Sequence, residues 1–121
     1  MGDFVQSYKE LIVWKKSMEL VVSVYELTSH LPTSELHGLT SQMNRNAVSI
    51  PSNIAEGRSR GTRKDFRQFL LVAFGSGAEL ETQLLIVKSL PFGKNLDYSK
   101  LENLLQEIMK MLNSMISKLK N

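Results

Sequence analysis

There is no cysteine anywhere in this 121-residue chain. That absence excludes disulfides, thiolate metal sites and cysteine nucleophiles, and it fits a reducing cytoplasmic location. Histidine is nearly missing too. His30 and His37 flank one helix connection and show no ligand spacing. A di-metal bundle site would want Glu-x-x-His pairs, and Glu56, Glu79 and Glu81 belong to none. Ser49 and Ser52 have no histidine or lysine base within helical reach, so no nucleophile is assembled. Met1 to Lys9 lack the basic-then-apolar order of a signal peptide. No apolar run approaches the ~20 residues that span a bilayer. No internal repeat or low-complexity stretch breaks the chain, and its length suits one domain, 1–121. The expectation is a non-enzymatic cytoplasmic protein with no metal, no cofactor and no membrane segment.

What is present is arginine, and only in one place. Arg45, Arg58, Arg60, Arg63 and Arg67, with Lys64 among them, set six cations against Glu56 and Asp65, a local charge of +4 where the whole chain is +3. The guanidinium fork matches phosphate oxygens. Arg58 and Arg60 fall in a Gly57–Gly61 loop, and Arg63, Lys64 and Arg67 fall on the first turns of the helix that follows. Such a helix start adds N–H donors and a favourable dipole for an anion. The segment lacks the GxxxxGK[ST] spacing of a P-loop. Two readings stay open: contacts to nucleic-acid phosphate, or a protein-interaction scaffold whose arginines pair with Glu56, Asp65 and neighbouring subunits.

Apolar periodicity predicts four helices, over 13–31, 34–56, 62–89 and 98–120. In the last, Leu101, Leu104, Leu105, Ile108, Met111, Leu112, Met115, Ile116 and Leu119 fill one arc, and Ser99 with Glu102 has capping-box spacing. Thr62 and Asp65 repeat that spacing ahead of the third helix. There Phe66, Phe69, Leu70, Ala73, Gly77, Leu80, Leu84 and Val87 make a main stripe, while Leu71, Phe74, Ala78 and Leu85 make a second. Gly75 and Gly77 each cost roughly 1 kcal/mol against alanine in a helix interior, which close approach of a neighbouring helix would offset. The first helix is two-faced as well: Trp14, Met18, Val21 and Tyr25 form one stripe, and Leu20, Val24, Leu27 and Leu31 another. Pro32 stops it.

On the second helix, Leu36, Leu39, Met43, Ala47, Ile50 and Ile54 read as core, with Pro51 expected to kink it. Arg45, Ser49, Ser52 and Glu56 line the opposite face, with Gln42 and Asn53 beside them, as a polar network against another helix or subunit. Short connections at 32–33, 57–61 and 90–97 make successive helices antiparallel. The fold expected is all-α: an up-and-down antiparallel four-helix bundle. The surplus apolar residues Leu20, Val24, Leu27, Leu31, Phe74 and Leu85 are expected to form an oligomer interface. Trp14, Tyr25, Phe66 and Phe69 read as packing and make no stacking platform for bases.

Three strings resemble a known family. ELHGLTSQMNRNAVSIPSNIAEG (35–57), FLLVAFGSGAELETQL (69–84) and VWKKSMELVVSVYELT (13–28) are similar to signatures of the 23S rRNA-intervening-sequence proteins. The resemblance spans nearly the whole chain. It implies a bacterial four-helix bundle, commonly a homopentamer, with no catalytic activity attached. Some members are encoded inside intervening sequences of 23S rRNA genes. The chain also resembles the accessory protein of diversity-generating retroelements, a basic pentameric barrel that binds nucleic acid and a reverse transcriptase. Nucleic acid (RNA or DNA), a protein such as a reverse transcriptase, and further copies of the chain are therefore the partners the resemblance implies. The family often has two adjacent basic residues where this chain has Asn44 and Arg45, and a small residue where it has Asn46.

Overall fold

A computed structural model describes residues 7–120, so most of the segment read above for a leader lies outside the described residues. Four α-helices carry the chain: α1 (Ile12–Thr28), α2 (Ser41–Ser59), α3 (Arg63–Ser89) and α4 (Ser99–Lys118). α1 packs against α2 and α4, and α3 packs against the same two, with α2 against α3 the closest pair. This is an all-α, up-and-down four-helix bundle, as the periodicity predicts. α1 and α3 occupy opposite corners.

The predicted apolar arc of α4 supplies Leu101, Leu104, Leu105, Ile108, Leu112 and Ile116 to the core. Leu20, Val24, Met43, Ala47, Ile50, Ile54, Leu70, Ala73, Leu80 and Val87 meet them. Each fully buried Leu or Ile contributes about 2 kcal/mol by its removal from water. By length and composition α3 would also suit a membrane span. Its central face is instead spent on this core, from Phe66 to Val87, with Glu79 and Glu81 in its middle.

On α1 the two stripes exchange roles. Leu20, Val24, Leu27 and Leu31, expected at an oligomer interface, are buried inside the single chain. Met18 and Tyr25, expected in the core, are exposed, along with Ile12 and Val22. The buried stripe is disguised in sequence by Ser17, Ser23 and Thr28, which lie on the same inward face. Ser17 is tolerated there because its hydroxyl donates to the Val13 carbonyl at 2.6 Å. On α3 the second stripe splits: Leu85 is 58% exposed, whereas Phe74 packs partly against the core.

Helix ends also differ from the periodic reading. The chain after Pro32 makes a short 3₁₀ turn, Thr33–Glu35, then a π-turn, Leu36–Thr40, before α2 begins. The break is at Gly38 (φ −111°, ψ −113°). The Glu35 carboxylate accepts the Leu39 N–H at 3.3 Å, and a Cβ on Gly38 would stand 3.0 Å from that carboxylate. Helical structure, by contrast, runs through Pro51 without interruption. The break in helical backbone is at Gly38, thirteen residues before Pro51.

α2 ends at Ser59, and Gly61 (φ +87°) turns the chain into α3. The Thr62 hydroxyl accepts the Asp65 N–H at 3.1 Å, as its spacing predicts. The cap of α4 is different: Asp97 Oδ1 accepts both the N–H (3.0 Å) and the hydroxyl (2.8 Å) of Ser99, while Glu102 forms an ion pair with Lys88. Gly57 lets α2 and α3 approach, since a Cβ there would lie 2.6 Å from Phe69 Cβ. Gly77 makes room for Met109. Gly75 has open space instead of the expected neighbouring helix.

Candidate nucleic-acid interface

One end of the bundle collects the α2–α3 turn, the start of α1 and the end of α4. The turn brings Arg58, Arg60, Arg63, Lys64 and Arg67 together, as the sequence suggests. Arg45 does not join them. It lies thirteen residues before Arg58 on one continuous helix, about 20 Å away at 1.5 Å per residue. It borders a shallow groove with Tyr25, Leu36, His37 and Val48.

The arginines at the turn are already engaged. Arg67 Nε donates to the Ile116 carbonyl at 3.1 Å, and Arg63 Nη2 to the Lys118 carbonyl at 3.0 Å. Both acceptors belong to the last turn of α4, whose carbonyls have no partner within the helix. A cation there also complements the negative end of the helix dipole. Arg60 forms an ion pair with Glu56 at 3.1 Å, and its guanidinium lies 5.0 Å from the Phe69 ring centre. Arg58 lies 5.7 Å from that of Phe66.

Sequence reading missed the lysines. Lys118 and Lys120 are more than fifty residues from the turn, yet Arg63 and Arg67 hold the α4 terminus directly against it. Lys64, Arg67, Gln68, Leu119 and Lys120 line a concavity of about 390 Å³ that includes no acid. Lys64, Lys118 and Lys120 are exposed. The chemical capacity of this end is to hold negatively charged oxygens.

The polar face of α2 is real but differently composed. Ser49 Oγ lies 2.8 Å from Ser76 Oγ on α3, and Asn53 donates to Ser49 Oγ at 2.9 Å and to its carbonyl at 2.8 Å. Asn46 donates to Gln83 Oε1 at 3.1 Å, and Gln83 in turn donates to Gln42 at 3.4 Å. Thr28 of α1 donates to Asn44 at 2.9 Å. Asn44 and Asn46 therefore tie helices together, Asn44 to α1 and Asn46 to α3. Ser52 and Glu56 do not belong to this seam: both are exposed, and Glu56 is 51% accessible in its pair with Arg60. The reason is angular, because Ser49 and Asn53 point along the α2–α3 contact while Ser52 and Glu56 are turned outward.

A second concavity, about 520 Å³, lies at the opposite end between Ser23, Glu26, His30, Asp97 and Lys100. The hydrogen bonds from Ser99 hold the Asp97 carboxyl below its ordinary range. Burial raises the Tyr98 hydroxyl above its ordinary value, and that hydroxyl donates to the Gly93 carbonyl at 2.6 Å. Among the described residues no group of His, Asp and Glu is placed to hold a metal.

Residues 9–114 match the family model of the 23S rRNA-intervening sequence proteins. No curated protein matches the chain.

Proposed function

The chain belongs to the 23S rRNA-intervening sequence protein family, and from that premise we propose that it is a non-enzymatic, self-associating protein that binds RNA by its phosphates. The supporting observation is an acid-free concavity at the arginine-rich end, lined by Lys64, Arg67 and Lys120, with Lys118 exposed on the adjoining last turn of α4. Lysine ammoniums without a fixed hydrogen-bond geometry bind phosphate as point charges and carry no base readout. Binding is therefore weak per subunit and nearly indifferent to sequence. Self-association follows from Ile12, Met18, Val22 and Tyr25 on α1 and Leu71, Val72, Leu85 and Ile86 on α3, all exposed. Together they exceed the scattered apolar residues normal on a monomer surface. A pentamer is the assembly the family resemblance implies, and several subunits would multiply weak contacts through effective concentration.

The scaffold reading, with the arginines spent on subunit contacts, is less well supported. Arg63 and Arg67 hold α4 of their own chain. Fluorescence anisotropy with a single-stranded rRNA fragment tests the proposal. Three lysine–phosphate contacts per subunit give a slope of log affinity against log salt of about −2 per subunit. Binding that ignores salt, or no binding at low ionic strength, rejects it.

A further inference from the structure

The concavity beside the end of α4 is built around one fixed guanidinium. Lys64, Arg67 and Gln68 stand at i, i+3 and i+4 on α3 and so share one helical face. Leu119 and Lys120, which follow the last turn of α4, close the other side. Among the described residues no carboxylate lines this space of about 390 Å³. Glu10, Glu56 and Asp65, which belong to the same end of the bundle, stand outside it.

A helix C-terminus ordinarily repels an anion, because its last carbonyls carry the negative end of the dipole. Here two of those carbonyls are covered. Arg63 Nη2 donates to the Lys118 carbonyl, and Arg67 Nε to that of Ile116. The bond from Nε leaves both Nη groups of Arg67 without a partner among the described residues. Arg67 is half-buried, and a side chain already held at one nitrogen has less freedom to lose when a ligand arrives. Its two Nη groups form a fork for two oxygens of one phosphate.

The charge count decides which phosphate suits the space. Lys64, Arg67 and Lys120 set three cations around it. A phosphate inside an RNA strand carries one negative charge and only two free oxygens, the other two being esterified. A terminal phosphate monoester carries about −1.5 to −2 at pH 7 and has three free oxygens. Two oxygens satisfy the Arg67 fork, and the third is left for a lysine ammonium. The Gln68 amide adds a neutral donor at the rim. An internal diester leaves part of this donor set unused.

We infer that the concavity is a seat for the terminal phosphate monoester of an RNA strand. The inference rests on the phosphate binding proposed above and adds which phosphate is bound. Either end of a strand offers this chemistry when phosphorylated.

The test is competition, by fluorescence anisotropy, among unlabelled oligouridylates with a 5′-phosphate, a 3′-phosphate or two hydroxyl ends. A hydroxyl-ended strand two nucleotides longer nearly matches the phosphorylated ones in charge. At neutral pH at least one phosphorylated strand should bind roughly tenfold tighter than this control, the worth of one added charge-assisted hydrogen bond. The strand that does so identifies the end recognised. The advantage should shrink at pH about 5, below the second ionisation of a monoester near about 6. Lys64, Arg67 and Lys120 stay charged across that range, and both histidines lie at the far end. Arg67→Lys, which keeps the charge but loses the fork, should reduce the advantage. Lys120→Gln, at an exposed position, should do the same and carries the test should the first variant fail to fold. Equal affinity for phosphorylated and charge-matched strands would overturn the seat while leaving phosphate binding in place. So would an advantage that ignores pH, or one undiminished in both variants. No binding of any strand at low ionic strength would overturn the seat and the proposed RNA binding together.

Discussion

The guanidinium of Arg67 reaches from α3 to the Ile116 carbonyl of α4, 3.1 Å away. A residue that reads in sequence as a phosphate contact is therefore a fastening between two helices. It also fixes where the α4 lysines stand.

Replacing Arg67 by alanine should lower stability by about 1–2 kcal/mol, the usual cost of losing a hydrogen bond from a charged donor at a partly buried site. Urea denaturation checks this. An unchanged midpoint would mean that the α4 terminus is held by its apolar contacts alone.

Glu56→Ala should be nearly silent, at less than about 0.5 kcal/mol, because its pair with Arg60 is an exposed i,i+4 contact. The sequence reading placed Glu56 in a buried network and would require a larger loss. A thermal melt distinguishes the two, and a drop of several degrees would favour burial in an assembly.

Gln83→Ala removes the centre of the seam on which Asn46 and Gln42 depend. It should cost about 1–2 kcal/mol, since Asn46 would be left partly buried without its acceptor. A double-mutant cycle with Asn46→Ala should show coupling between the two positions; strict additivity would contradict the bond.

Much of the fold is legible in the sequence because each helix carries its own period. α4 is the clearest, with one apolar arc from Leu101 to Ile116. The faces of α1 are not legible to the same degree. Periodicity shows two stripes, but only packing decides that Leu20 and Val24 turn inward and Met18 and Tyr25 outward, and Ser17 conceals the inward one. The basic end is half legible. The arginine cluster is local in the chain, whereas its lysine partners arrive through tertiary contact. The acceptors that engage Arg63 and Arg67 are backbone carbonyls, which side-chain identity does not announce.

Asp97 provides a pH test. Its carboxyl is held below the ordinary range by Ser99, first through the backbone N–H and then through the hydroxyl. The folded form therefore binds fewer protons there than the unfolded form. The stabilisation is full above the ordinary carboxylate range and is lost as pH falls through the lowered folded value. Asp97→Ala should melt below the parent at neutral pH, with the gap closing in acid. A gap independent of pH would assign the effect to something other than the charged cap.

The most direct test of the central claim is RNA affinity after charge reversal at the lysine end. Lys64→Glu/Lys120→Glu is compared with Lys94→Glu/Lys100→Glu, which makes the same change in net charge at the far end of the bundle. With helicity and oligomeric mass matched, the account predicts that the first variant loses binding and its salt dependence. The second should keep the parent slope, with affinity lowered only slightly by the global charge. Equal losses in both variants, or undiminished binding in the first, would contradict a phosphate-binding role for this end.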